Sequence, residues 1–395
     1  MGMIARLLAL LACGLVWTGA ASALEIRTAV LRVDYPRLQP ISRFDLAPQD
    51  LGFAGAVLAD EDNQTTGSFL GMDFETVVAA TAPEAVAETL DGILAQGIDL
   101  LVVQARAEEL LAIAERAGPG VLVLNAGARD TNLRDQDCRA NILHVAPSQA
   151  MMADAVVQFA VWKKWNRLFL IQGSNPGDRA LGEAYRRAAG KFGARIVEER
   201  EFEDTGGSRR ADTGHVMVQR QIPVFTQSAA EHDVVIAADA SDVFGPHLPY
   251  QVWDPRPVMG SGGLRPVTFH AAHESWGATQ FQTRFEAASG RYVQEADYEV
   301  WLALRVIGEA VIRTSSNDAA VLRDYILSDA FELAAFKGRG VDFRPWNGQL
   351  RQPIILTESR VTVSVSPQEG FLHQSSTLDT LGLDRPESRC TAFQP

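Results

Sequence analysis

Between residues 45 and 125 the chain alternates helical periodicity with short apolar runs. Leu51, Ala54, Gly55 and Leu58 recur at the spacing of a helix over 46–60, and the turn-rich DNQTTG of 62–67 predicts its stop. Residues 74–79 (FETVVA) read as a short strand. Ala85, Val86, Thr89, Leu90, Ile93 and Leu94 line one face of an amphipathic helix over 83–96. The apolar run 98–103 (IDLLVV) is what a strand covered on both faces requires. A helix over 108–117 and a further buried strand over 121–124 follow.

The alternation then resumes. Pro147 and Ser148 predict the start of a helix over 148–163, with Ser148 as its N-cap. A strand over 167–171 and a helix over 178–192, stopped by Gly193, come next. Strands over 194–198, 233–237 and 257–260 complete the second unit, the last running into a glycine-rich turn. The expected fold class is therefore α/β, with two doubly wound units in series and no sequence repeat between them. Sheets of this kind take ligands beyond the carboxyl ends of their strands.

Residues 1–23 have the form of a secretory leader. Arg6 supplies the positive end, 7–16 the apolar run, and Ala21-Ser22-Ala23 the cleavage site. The run is shorter than the ~20 residues that a membrane span needs. A lipoprotein reading through Leu10-Leu11-Ala12-Cys13 fits less well, because the apolar run continues past the cysteine. The expected location is the periplasm, with no insertion into the membrane after cleavage. Cys138 and Cys390 then remain, and an oxidising compartment permits a disulfide between them; two free buried thiols are the alternative. The chain carries 36 basic against 49 acidic side chains, which argues against nucleic acid or an anionic membrane as partner. It leaves room for an anionic small ligand at a local arginine cluster, bound by a monomer.

The stretch LAPQDLGFAGAVLADEDNQTTGSFLGMDFETVVAATAPEAVAETLDGILAQGIDLLVV resembles the opening of type I periplasmic solute-binding proteins of the branched-chain amino acid transport family. Asn63, Gly67, Gly97, Ile98 and Asp99 fill that family's turn and strand positions. The resemblance continues through 167–198 and through FEAASGRYVQEADYEVWLALRVIGEA at 285–310, which looks like the return helix into the first lobe. It implies two Rossmann-like lobes joined by a hinge, a small-molecule ligand in the cleft, an ABC permease as partner, no required cofactor and no enzymatic activity. The expected lobes are 24–145 with 277–329, and 146–276 with 330–366, leaving an irregular tail over 367–395. Residues 250–263 (YQVWDPRPVMGSGG), 270–280 (HAAHESWGATQ) and 337–353 (KGRGVDFRPWNGQLRQP) are similar to a subgroup associated with pyrroloquinoline quinone (PQQ)-dependent alcohol dehydrogenase systems. That similarity implies PQQ or a related carboxylated molecule as ligand, and a PQQ-dependent dehydrogenase as a second kind of partner.

Amino-acid binders of the family hold their ligand with hydroxyls and main-chain groups after these strands. Here the strand ends carry Gln104-Ala105-Arg106 and Asn125-Ala126-Gly127-Ala128-Arg129 instead. Guanidinium forks suit carboxylates, so Gln104, Arg106, Asn125 and Arg129 are candidate ligand contacts; solvated surface arginines are the alternative. Six tryptophans lie beyond the leader. Trp162, Trp165 and Trp301 read as packing, whereas Trp253, Trp276 and Trp346 sit in irregular segments. Trp253 and Trp276 are the preferred stacking plates for a planar ligand, with lobe-to-hinge packing as the alternative. His273, in His270-x-x-His273-Glu274, is a candidate contact to ligand or hinge rather than a metal ligand. Neither a calcium loop, a nucleophile elbow, a phosphate loop nor a dinucleotide fingerprint is complete; an accessory chaperone or enzyme on the same fold is the alternative class, and an amino-acid binding protein, which the arginines at the strand ends disfavour, is the third reading.

Overall fold

The computed structural model describes residues 23–36, 46–204 and 217–393; the leader expected over 1–23 lies outside these, apart from Ala23. The first sheet has the order β2-β1-β3-β4-β5 and is parallel throughout. Its strands are β1 (Leu24–Val33), β2 (Met72–Thr81), β3 (Leu100–Gln104), β4 (Leu122–Asn125) and β5 (Ile142–His144). The helices α1 (Phe53–Leu70), α8 (Ala278–Ser289), α9 (Glu295–Thr314) and α10 (Ala319–Ile326) cover one face, and α2 (Val86–Leu94) and α3 (Ala107–Ala117) the other. All five residues of β3 are buried, as its apolar run predicts.

Sequence periodicity did not isolate β1, although it sits inside the sheet. Ile26 and Val30 face α1 and α9, while Ala29, Leu31 and Val33 face α2 and α3. Two arginines interrupt that pattern, and both find partners at the strand ends: Arg27 donates to Gln96 O, and Arg32 to Leu51 O.

Helix α1 does not stop at 62–67. It runs to Leu70 and ends at Gly71, whose φ of 69° turns the chain into the left-handed region. The polar residues are absorbed by the helix. Thr65 and Ser68 hydroxyls return to the carbonyls four residues back, and buried Asn63 donates to Leu304 O on α9 at 3.1 Å. Glycine makes the α1–α9 approach this close: Gly55 lies against the Asp297 carbonyl, and Gly308 against the Asn63 side chain.

The second sheet is also parallel, in the order β7-β6-β8-β9. It comprises β6 (Arg167–Gly173), β7 (Arg195–Phe202), β8 (Val234–Ala238) and β9 (Val258–Gly260). The helices α4 (Gln149–Trp162) and α5 (Pro176–Phe192) cover one face, and α6 (Val218–Thr226) and α7 (Leu248–Gln251) the other. Ser148 caps α4 by accepting from Met151 N at 3.2 Å, and Gly193 ends α5 at φ 74°.

The chain passes between the lobes at 145–148, again around β10 (Arg265–Val267), and again at 352–354. The expected second piece of lobe two began at 330. Instead Phe331, Leu333, Val341, Phe343 and Leu350 join the core of lobe one, because β11 (Leu333–Ala334), β12 (Gly340–Phe343) and β13 (Leu350–Arg351) form a small antiparallel sheet against it. At the last crossing, β14 (Ile354–Glu358) pairs antiparallel with β10 and β15 (Val361–Ser366). Its side chains alternate between the lobes: Ile354 and Leu356 enter the core of lobe two, and Ile355 that of lobe one. Beyond β15 the described residues hold no strand and one short 3-10 turn, Thr377–Thr380. Cys390 is disulfide-bonded to Cys138, in the loop between β4 and β5.

Candidate functional site

The carboxyl ends of β1, β3 and β4 and the amino end of α9 enclose a hollow of about 350 Å³, lined by Tyr35, Gln104, Arg106, Gly127, Arg129 and Glu295 among others. Asn125, the last residue of β4, shapes one wall from behind. Its Oδ1 accepts from Gly127 N (3.1 Å) and Ala128 N (2.8 Å), and its Nδ2 donates to Ala128 O (2.7 Å). The loop is thereby folded back, and Arg129 enters the hollow. Gly127 lets this loop meet the one after β3, since a Cβ there would sit 3.1 Å from Ala105 N.

Arg129 is not free to serve a ligand alone. Its Nη2 donates to Glu299 Oε1 at 2.6 Å and to Glu295 Oε2 at 3.1 Å. Thr268, on the second lobe crossing, joins the cluster: its Oγ1 lies 2.5 Å from Glu299 Oε1, and its N–H donates to Glu295 Oε2 at 2.7 Å. Burial raises the pKa of Glu299, and Arg129 opposes that rise. The two carboxylates share this guanidinium, and the buried cations Arg134 and Lys337 lie close enough to act on Glu299 as well.

Arg106 is the opposite case. Its backbone N–H donates to the Tyr35 hydroxyl at 2.8 Å, and its guanidinium carbon lies 4.0 Å from the Tyr35 ring centroid. Among the described residues no carboxylate pairs with it. Burial, followed by the hydrogen bond given to Glu109, raises the pKa of Tyr35, so the ring stays neutral beneath the cation.

Gln104 stands between the two ends. Its Nε2 donates to Ala296 O at 3.0 Å, while its Oε1 is buried with no hydrogen-bond partner. Such an acceptor costs stability unless something donates to it. Gly52 (φ 82°) lies directly against that oxygen, and its N–H donates to Asp297 Oδ1 at 2.7 Å. Asp297 also receives Arg291 and completes the capping box of α9 with Gln294.

The expected contacts thus separate. Gln104, Arg106 and Arg129 meet in one hollow. Asn125 is fully buried behind it as scaffold. His273 is buried with its Nε2 3.2 Å from Phe336 O, and serves the packing of α8. Trp253 is half exposed, but its backbone N–H donates to Thr226 Oγ1 at the end of α6, beside the amino end of β9 rather than the carboxyl ends. Trp276 lines a different hollow, with Phe336, Gly338, Glu309 and Arg313 along the carboxyl half of α9. Trp346 lies beneath the guanidinium groups of Arg344 and Arg351. Tyr35, Thr268, Glu295 and Glu299 were not anticipated; the acidic first turn after Gln294 was an available signal for Glu295 alone.

Residues 51–234 match the family model described as periplasmic binding protein. The fold is that of solved periplasmic binding proteins. A branched-chain amino acid ABC transporter periplasmic ligand-binding protein from Burkholderia xenovorans superposes with a TM-score of 0.71 at 15% identity, over 93% of this chain and 100% of that one. A leucine-, isoleucine-, valine-, threonine- and alanine-binding protein from Brucella ovis, in a closed conformation, gives 0.67 at 15% over 85% and 90%. An ABC transporter substrate-binding protein from Desulfitobacterium hafniense in complex with Leu gives 0.65 at 15% over 86% and 99%. Comparison with curated proteins finds no match.

Proposed function

We propose that this chain is a periplasmic ligand-binding protein of an ABC uptake system whose ligand is a small zwitterion of the amino-acid type. The observation that carries the reading is the arrangement of charge in the hollow: at one end the Arg106 guanidinium, with no carboxylate partner among the described residues, and at the other Glu295 and Glu299, which share Arg129. A ligand carboxylate on Arg106 gains a charge-assisted hydrogen bond. A ligand ammonium would be met by the Glu295 carboxylate, whose side chain is 34% exposed. The Brucella and Desulfitobacterium proteins, by their descriptions, bind ligands of this class. Binding would bias the hinge, because Glu295 Oε2 is shared between Arg129 and the Thr268 N–H on a lobe crossing. A permease would read the closed form; no chemical step is involved.

PQQ is the second reading, favoured by the resemblance of 250–263, 270–280 and 337–353 to proteins of quinoprotein systems. Three carboxylates ask for more cation than one unpaired arginine supplies, and neither Trp253 nor Trp276 lines this hollow. Calorimetry with leucine, glutamate and PQQ separates the two readings. Arg106→Ala should weaken amino-acid binding by about 10- to 100-fold, the worth of one charge-assisted bond of roughly 1.5–3 kcal/mol. Heat with PQQ alone, or an unaltered amino-acid affinity in the variant, would replace the first reading.

A further inference from the structure

We propose that residues 381–390 form a strap that limits how far the two lobes can open, with the Cys138–Cys390 bond as its latch. The chain has a fourth passage between the lobes here, in addition to the three that build the hinge. Its first anchor is on lobe two. Leu381 is fully buried in that core. Gly382 N donates to the buried carboxylate of Asp154 at 2.7 Å, and Gly382 O accepts from Arg187 (2.6 Å) and Lys191 (2.9 Å) on α5. Glu387 still belongs to this lobe, accepting from Arg187 at 3.2 Å.

The very next residue belongs to lobe one. Ser388 Oγ donates to Arg134 O at 3.1 Å, and Arg389 holds Asp135 through its backbone N–H (2.6 Å) and its guanidinium (2.6 and 3.0 Å). Cys390 then closes the bond to Cys138. Consecutive residues anchored on different bodies leave no slack, since one residue spans at most ~3.6 Å. Opening must first break the Glu387 ties. It can then proceed only until the segment between Gly382 and Ser388 is drawn straight, because the lobe-one end is covalently held. Arg344, in the insertion of lobe one, grips the same segment through Leu381 O (2.6 Å) and Leu383 O (3.3 Å), which shortens the free length further.

The test needs no ligand, so it stands or falls independently of the cleft reading. Small-angle scattering and amide exchange are measured on the ligand-free oxidised protein, on C390S, and on C390S combined with R389A. The strap predicts a larger radius of gyration in the variants, with faster exchange confined to the crossings at Val145 and Ile354. Unchanged scattering and exchange in the variants overturn it, including the case where only the melting temperature falls, which would make the tail a brace and not a stop. If the double variant does not fold, the wild-type protein reduced in place is read by the same two criteria.

Discussion

Replacing Lys337 with methionine should stabilise the protein at neutral pH and destabilise it in alkali. The ammonium is 2% exposed. It donates to Gln352 Oε1 at 2.6 Å and Pro353 O at 3.2 Å, and lies 5.0 Å from the Tyr298 ring centroid, with no carboxylate in contact. Burial pushes its pKa down from 10.5 to about 7; Glu299 and Glu295 pull upward, and Arg129 acts with the burial. Between those two values the folded protein binds fewer protons than the unfolded chain, so stability rises with pH across the window and the cost is greatest at or below neutrality. At 1.36 kcal/mol per unit, the full cost is on the order of 5 kcal/mol. Methionine removes that cost but leaves two buried carbonyl oxygens without a donor, worth about 3 kcal/mol together. The variant should therefore gain about 2 kcal/mol at pH 7, break even near pH ~8, and lose about 3 kcal/mol above pH ~10. Urea unfolding of both proteins from neutral to alkaline pH measures the difference directly. A difference that does not change with pH, or a variant less stable throughout, refutes the reasoning.

Two further outcomes follow from the packing. Asp379→Ala leaves Arg344, 1% exposed, and its neighbour Arg351 without the carboxylate they share, and should cost about 3–5 kcal/mol in urea unfolding; a loss below ~1 kcal/mol would mean the surrounding carbonyls suffice. Gly52→Ala places a Cβ at φ 82° against Gln104, and should cost about 2–3 kcal/mol in thermal unfolding while weakening ligand binding; a neutral variant would show that Gln104 is not fixed by this contact.

Much of the scaffold was legible because covered strands must be apolar and helices need stops. The β3 run, the Ser148 cap and the Gly193 stop each declare themselves within a few residues. Where local signals failed, a distant partner had overruled them. Asn63 and Gly67 look like a turn until α9 and Phe74 arrive to satisfy them. In β1, Arg27 and Arg32 hide a buried strand because their acceptors lie far along the chain. The site divides the same way. Position after a strand end was enough to bring Gln104, Arg106 and Arg129 together. The partners that change the meaning of Arg129 are Glu295 and Glu299, 166 and 170 residues downstream, and no local pattern ties them to it. Tryptophans in irregular segments gave no such guidance, since irregular chain occurs at both ends of a sheet.

A strand whose neighbouring side chains are shared out between two interiors makes the halves thermodynamic hostages to each other. Pulling β14 loose strips Ile354 and Leu356 from one interior and Ile355 from the other in a single event. Damage confined to one half is thus felt by both, and the molecule should melt as one cooperative body despite its bipartite shape.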